Sequence, residues 1–243
     1  MNLIIDVGNT RVKVALFKGD SIFDTYQFAK SKSAKKIKDI VEKHDVTNGI
    51  ISSVASISEK EFKNIEQLVP LLRLNHESRV PFKNEYATPI TLGMDRIALA
   101  SASVFKFPNK NVLVIDAGTC ITYDFIDKKG VYYGGAIAPG IEMRYKSLYT
   151  FTDKLPLLDV TDPKQLTGNS TEESIHSGIV NGILSEIEGV IDRYKEKNKE
   201  LTVVLTGGDT NFLAKRLKNS IFANPNFLLE GLNNILNYNL KND

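Results

Sequence analysis

Asp6-Val7-Gly8-Asn9-Thr10, with Lys13 just beyond, puts a carboxylate, a glycine, a hydroxyl and a cation into eight residues. A phosphate site needs those groups. The carboxylate holds a metal or water, the glycine lets backbone come close, the hydroxyl and amide N–H groups donate, and the cation offsets charge. The same residues also suit an ordinary hairpin turn, because Gly and Asn favour turns. On their own they leave both readings open. A partial copy stands at Asp116-Ala117-Gly118-Thr119. Asp95, inside Gly93-Met94-Asp95-Arg96, is the third candidate, a carboxylate near an expected helix start that suits either a general base or an ordinary helix-start aspartate.

The elements that must position these residues follow from the hydrophobic pattern. Leu3-Ile4-Ile5 leads into the first motif and the alternating Val12, Val14, Leu16 leads out, which reads as strand, turn, strand. Three short strands are expected over residues 2–28. Helices are expected over 34–44 and 58–70, strands over 49–53 and 71–74. A loop over 76–92 feeds a helix beginning near Gly93. The break at Phe107-Pro108-Asn109-Lys110-Asn111 is the expected domain boundary, dividing residues 1–109 from 110–243.

After that break the pattern starts again. Val112-Leu113-Val114-Ile115 leads into Asp116, then Ile121, Tyr123 and Phe125 alternate, and Lys128-Lys129-Gly130 turns into a third strand. The two halves match at an offset of about 110 residues, with one residue of the first turn, Asn9 or Thr10, gapped. A repeat of a whole strand–turn–strand–turn–strand unit is too long for turn chemistry alone. Gly134-Gly135-Ala136-Ile137-Ala138-Pro139-Gly140 is expected as a flexible loop opening a helix. A long helix is expected over 171–197, a strand over 202–206, a turn at Gly207-Gly208-Asp209 and a last helix over 227–239.

Composition narrows the function classes. With 243 residues and 42% hydrophobic content the chain can bury a real core. Its 31 basic and 29 acidic residues leave a net charge of +2, which gives no reason to expect nucleic acid or an anionic membrane as partner. The single cysteine, Cys120, allows no internal disulfide and suits a reducing cytosol. Asp6 comes too early for a signal peptide, and no apolar run approaches the roughly 20 residues that cross a bilayer. The expected location is cytoplasmic. His44, His76 and His176 show no ligand spacing.

Two Asp-x-Gly-(x)-Thr hairpins resemble the phosphate motifs of the actin-like ATPase and sugar kinase superfamily. The ordered set Asp6-Val7-Gly8-Asn9-Thr10-Arg11-Val12-Lys13, Gly93-Met94-Asp95-Arg96, Asp116-Ala117-Gly118-Thr119, Gly134 to Gly140 and Thr206-Gly207-Gly208-Asp209 is similar to that of type III pantothenate kinases. The resemblance covers nearly the whole chain. Cys120 departs from the small residue, such as alanine, expected there. The resemblance implies an α/β fold of two tandem RNase H-like (actin-like ATPase) domains, each a mixed five-stranded sheet flanked by helices, with ATP in the cleft between them.

The resemblance also implies roles. Asp95 becomes the catalytic proton acceptor. Asp6, Val7, Gly8, Asn9, Thr10, Arg11, Val12, Lys13 and Thr119 bind ATP, with Asp6 holding Mg²⁺, directly or through water. Tyr86, Gly93, Met94, Asp95, Arg96 and Thr171 bind pantothenate, and Asp116 ligates a monovalent cation, K⁺ or NH₄⁺. Thr171 reaches the substrate of a second subunit, so a homodimer is expected. The alternatives are an actin-fold phosphotransferase acting on another small alcohol and a non-catalytic nucleotide-binding regulator. A regulator has no need of a base, so Asp95 favours an enzyme.

Overall fold

The structure, a computed structural model, describes residues 1–8, 11–53 and 59–241. Asn9 and Thr10, both expected in the phosphate turn, lie outside the described residues. The chain forms two compact units. The first holds Met1–Pro108, Gly130–Tyr132 and Asn226–Asp243, and the second holds Asn109–Lys129 and Tyr133–Pro225.

In the first unit the N-terminal apolar run forms β1 (Asn2–Val7), followed by β2 (Arg11–Lys18), β3 (Ser21–Ala29), α1 (Ser33–Lys43), β4 (Asn48–Ser53), α2 (Glu59–Glu66), β5 (Leu71–Arg73), β6 (Lys83–Asn84) and α3 (Met94–Lys106). The sheet order is β3-β2-β1-β4-β5. β1 runs antiparallel to β2 and parallel to β4, which the chain reaches after β2, β3 and the helix α1. β1 is buried on both faces, which is why its sequence is a continuous apolar run rather than an alternation. On one face Leu3, Ile5 and Val7 pack with Ile37 and Ile40 of α1 and Phe62 and Ile65 of α2.

The second unit repeats this plan. It contains β7 (Asn111–Ala117), β8 (Cys120–Ile126), most of β9 (Val131–Pro139), α4 (Ile141–Thr150), α5 (Thr171–Lys197), β10 (Leu201–Thr206), α6 (Thr210–Ala214) and β11 (Phe222–Ala223). Its strands follow the order β9-β8-β7-β10-β11, with β7 antiparallel to β8 and parallel to β10, and β10 parallel to β11. The core gathers Leu113, Ile115, Tyr123, Ile183, Ile187 and Leu205. Ser170 caps α5 by accepting the Glu173 N–H at 3.2 Å, so the long helix starts at Thr171 as its sequence pattern suggests.

The last helix, α7 (Phe227–Leu240), belongs to the first unit, where it packs on α3, β1 and β4. Gly231 permits this, since a Cβ there would lie 1.9 Å from the Ala98 carbonyl oxygen of α3. Asn2 ties strand to helix by donating to Asn233 and Asn237 Oδ1, both at 2.9 Å.

Three local expectations change. Gly134 to Pro139 is strand, not flexible loop, because Gly135 lies so close to the β8 backbone that a Cβ would fall 1.5 Å from the Tyr123 carbonyl oxygen. The two-residue strands β6 and β11 were not foreseen; β6 pairs with Val131 and Tyr132 at the start of β9. The helix expected over 58–70 ends at Glu66, although Val69 stays buried. Among the described residues no helix is long and apolar enough to cross a membrane.

Candidate active site

Asp6 stands near the C-terminal end of β1, opposite Lys13 on antiparallel β2 and Ser52 on parallel β4. The turn after it is closed by the Gly8 N–H donating to the Arg11 carbonyl at 3.0 Å. Asp6 is 8% exposed, and its Oδ1 has no hydrogen-bond partner among the described residues. Burial pushes its carboxyl up to about 6; the Lys13 charge works against that rise and the Asp95 charge adds to it. Val7 and Val12 are buried strand residues, so among the described residues of this hairpin the backbone, Lys13 and the exposed Arg11 are the groups that can meet an anion.

Asp95 lies in the first turn of α3, where the helix dipole favours a negative charge. Its Oδ1 accepts the Arg96 N–H at 2.8 Å. Gly93 precedes the helix with no side chain for a physical reason, since a Cβ there would sit 2.3 Å from Asp95 Oδ1. The glycine thus leaves room for the carboxylate to fold back over the helix start. Met94, the first helical residue, is half-buried.

Arg96 is almost wholly buried in the first unit. Its guanidinium carbon lies 5.4 Å from the centre of the Tyr86 ring and 5.9 Å from that of Tyr132, within cation–π range of both. The two rings are 6.2 Å apart and tilted. Tyr86, Gly93, Met94, Asp95 and Arg96 are therefore brought together, and Asp95 lies near enough to Asp6 to act on its charge. Tyr132 was not among the expected site residues. Its sequence signal is that of a strand aromatic, and only the fold puts it beside Arg96.

The second hairpin keeps the plan and changes the chemistry. Asp116 pairs with Thr122 on β8 and Thr206 on β10. The turn closes with the Gly118 N–H donating to the Cys120 carbonyl at 2.9 Å, one residue tighter than the first. Gly207, at φ +96°, packs on this end of β7, where a Cβ would lie 2.3 Å from the Ala117 carbonyl oxygen and 2.4 Å from Asp116 Oδ1. The Asp209 N–H donates to the same Ala117 carbonyl at 3.0 Å. Burial, then the Glu142 charge, push the Asp209 carboxyl up to about 6. Thr119 is exposed on the turn, with its carbonyl accepting the Gly140 N–H at 3.1 Å ahead of α4. Cys120 is half-buried.

Both expected cations suit these donor sets. The buried, unpartnered oxygen of Asp6 fits a hydrated Mg²⁺, which commonly takes one or two carboxylates and completes its shell with water and phosphate. At Asp116, a carboxylate and a carbonyl oxygen both border the space that a Cβ on Gly207 would fill, a hard oxygen cradle fitting a monovalent cation.

Thr171 is the exposed first residue of α5 and lies in the second unit. It lines a groove of about 680 Å³ with Leu148, Leu155, Gly168, Ile175 and Ile179. The histidines stay outside the site. His44 meets the Tyr26 hydroxyl at 3.3 Å, His176 meets that of Tyr145 at 2.7 Å, and His76 is exposed.

Comparison with known proteins now bears on this geometry. The family profile described as type III pantothenate kinase matches residues 2–193. The type III pantothenate kinase of Flavobacterium psychrophilum is 49% identical over 239 residues, covering 98% of this chain and 99% of the relative. Among solved structures, a Campylobacter jejuni protein described as a Baf family transcriptional activator aligns with a TM-score of 0.64 at 21% identity, covering 98% of this chain and 99% of that one. Glucokinase from an Antarctic psychrotroph aligns at 0.53 and 10% identity, covering 98% of each chain. At these identities the structural likenesses speak for the fold, the two-domain architecture of sugar kinases and actin-like ATPases.

Proposed function

The chain belongs to the type III pantothenate kinase family, and from that premise we infer that it transfers the γ-phosphoryl group of ATP to pantothenate. The product is 4'-phosphopantothenate, and the reaction is the first step of coenzyme A biosynthesis. The observation that carries the assignment of roles is the buried, unpartnered carboxylate oxygen of Asp6 at the end of β1, in the same unit as Asp95 and Arg96 at the start of α3.

Asp95 accepts the proton of the pantothenate hydroxyl as that oxygen attacks phosphorus. A positioned base of this kind contributes roughly 10²–10⁴ in rate. Standing in the first turn of α3, Asp95 also serves to orient the hydroxyl. Arg96, held between Tyr86 and Tyr132, offers a planar fork to the carboxylate of pantothenate. Gly93 and Met94 shape the helix start around it.

Residues 6–13 and Thr119 supply the contacts to ATP phosphates, with Lys13 offsetting their charge. Asn9 and Thr10 are included on the family likeness alone. Asp6 holds Mg²⁺, directly or through water, and Asp116 holds K⁺ or NH₄⁺. When bound, these ions supply positive charge against the phosphate oxygens. The proposed division into domains runs 1–109 and 110–243, although α7 packs within the first compact unit.

The enzyme acts as a homodimer in the cytoplasm, with Thr171 reaching the substrate of a second subunit. Supporting this, Ser174, Gly178, Gly182, Ser185 and Gly189 are exposed along one face of α5, and nothing lies within 4 Å of a Cβ built on any of the three glycines. Such a face lets another backbone approach closely. Light scattering tests it, since a monomer at working concentration removes Thr171 from the site. The activity itself is tested by ADP release with ATP, Mg²⁺ and K⁺, with and without pantothenate. Release that does not depend on pantothenate overturns the assignment.

A further inference from the structure

The roles above leave one side chain beside the first hairpin unused. Ser52, near the end of β4, is 0% exposed, and its Oγ has no hydrogen-bond partner among the described residues. It pairs in register with Asp6 across β1 and β4. In-register residues of parallel strands project from the same face of the sheet, with strands about 4.8 Å apart. The atom orphaned on Asp6, Oδ1, therefore has a second orphaned oxygen as its neighbour on the next strand.

A buried hydroxyl without a partner destabilises a fold, and an unpartnered carboxylate oxygen does so more. Here the two lie side by side without bonding each other. An apolar residue at position 52 would fill the place at no such cost. Serine has one donor and two acceptor sites, and an ionised carboxylate only accepts, so a bound group presenting donors satisfies both at once. The water shell of a divalent cation presents such donors, and Mg²⁺ gives up its water reluctantly.

The second unit repeats the register of this pair, though not its unpartnered oxygens. Its motif aspartate, Asp116, has Thr206 as parallel neighbour, again a buried hydroxyl residue in register. Ser52 and Thr206 thus occupy matching places, one strand over from the two candidate cation carboxylates.

We propose that Ser52 is a positioning residue for phosphoryl transfer, whose hydroxyl accepts a hydrogen bond from a water of the hydrated divalent cation held at Asp6. The inference rests on the reading of Asp6 as the Mg²⁺ site. Ser52 touches neither ATP nor pantothenate. It fixes the water and, through it, the direction of the Asp6 carboxylate.

The test titrates Mg²⁺ into the full-length protein with a non-hydrolysable ATP analogue and follows the melting temperature. Wild type, Ser52→Ala and Asp6→Asn are compared. Ser52→Ala is expected to need about fivefold more Mg²⁺ for half-maximal stabilisation, the worth of one hydrogen bond. Without divalent ion it should melt at or above wild type, because an orphaned hydroxyl has gone. In turnover assays the apparent KM for Mg²⁺ should rise while kcat at saturating Mg²⁺ is kept. An unchanged Mg²⁺ midpoint in Ser52→Ala, with a weakened one in Asp6→Asn, overturns the inference and leaves the Asp6 reading standing. An Asp6→Asn midpoint equal to wild type overturns both. A Ser52→Ala protein that melts well below wild type without Mg²⁺ shows a packing role instead and also overturns the inference.

Discussion

The two hairpins are the same piece of architecture with different charges beside their aspartates. Each ends a central strand with an aspartate, closes the turn through a glycine N–H, and sets a hydroxyl residue on the parallel neighbour. They part at the antiparallel neighbour, where Lys13 faces Asp6 but Thr122 faces Asp116. The first hairpin therefore carries its own cation, in keeping with the phosphate role proposed for it. In the second, Asp116 Oδ1 and the Ala117 carbonyl oxygen come close to Gly207, and a cation site is proposed there. Each also has a second aspartate nearby, Asp95 for the first and Asp209 for the second. A duplicated scaffold fixes where the groups stand, and in the proposed roles the residue on the adjoining strand, Lys13 or Thr122, sets the sign of what binds.

The largest expected effect separates the two outlying aspartates. Asp95→Asn should lower kcat by about 10²–10⁴ with ATP affinity nearly kept, measured by steady-state kinetics and by binding of a non-hydrolysable ATP analogue. Wild-type turnover in that variant would remove Asp95 from the proton-acceptor role.

Next, Lys13→Thr makes the first hairpin resemble the second. It should raise the KM for ATP about 10- to 100-fold, the worth of one charge-assisted contact, while leaving the K⁺ response in place. An unchanged KM for ATP would break the comparison at its main point.

Gly207→Ala strains a left-handed backbone and drives a Cβ into the Ala117 carbonyl. The left-handed strain alone is about 1–2 kcal/mol, so the melting temperature should fall by at least about 2–4 °C, with weaker activation by K⁺. Thermal melts and a K⁺ titration check the two halves of this prediction.

The smallest effect concerns Asp209. Its folded carboxyl sits at about 6, above the usual 3.8, so it lends stability fully present below 3.8 and lost as pH rises through 6. Asp209→Asn should therefore melt about 2–4 °C above wild type near pH 8 and level with it below pH 4, after allowing for partial solvent screening. Melting curves that differ equally at both pH values would contradict the burial argument.

Much of this was legible in the sequence because it was carried by pattern. Apolar runs into Asp6 and Asp116, with alternating residues beyond, mark two strand–turn–strand units, and the one-residue gap in the first turn matches the two closures, Gly8 to Arg11 and Gly118 to Cys120. The start of the long helix at Thr171 was legible through Ser170 and the acidic residues that follow.

What stayed hidden was non-local. Ser52 is an ordinary strand-end serine until β4 is placed beside β1, and Tyr132 is a strand aromatic until Arg96 arrives from α3. The glycines before Pro139 suggested a loop, whereas Gly135 serves close packing against the Tyr123 carbonyl. Strands of two residues, β6 and β11, carry no periodicity to read. Nothing near Phe227 announces that α7 packs with the first unit. That depends on Gly231 meeting Ala98, far away in the chain.

The most direct measurement is pantothenate-dependent ADP release, with K⁺ and ATP varied, for wild type, Lys13→Thr and Asp116→Asn. The expected result is that wild type releases ADP only with pantothenate and is activated by K⁺. Lys13→Thr should keep that activation at a raised KM for ATP, and Asp116→Asn should lose it. Activation by K⁺ that survives in Asp116→Asn and disappears in Lys13→Thr would contradict the division of labour between the hairpins, and ADP release indifferent to pantothenate would contradict the function itself.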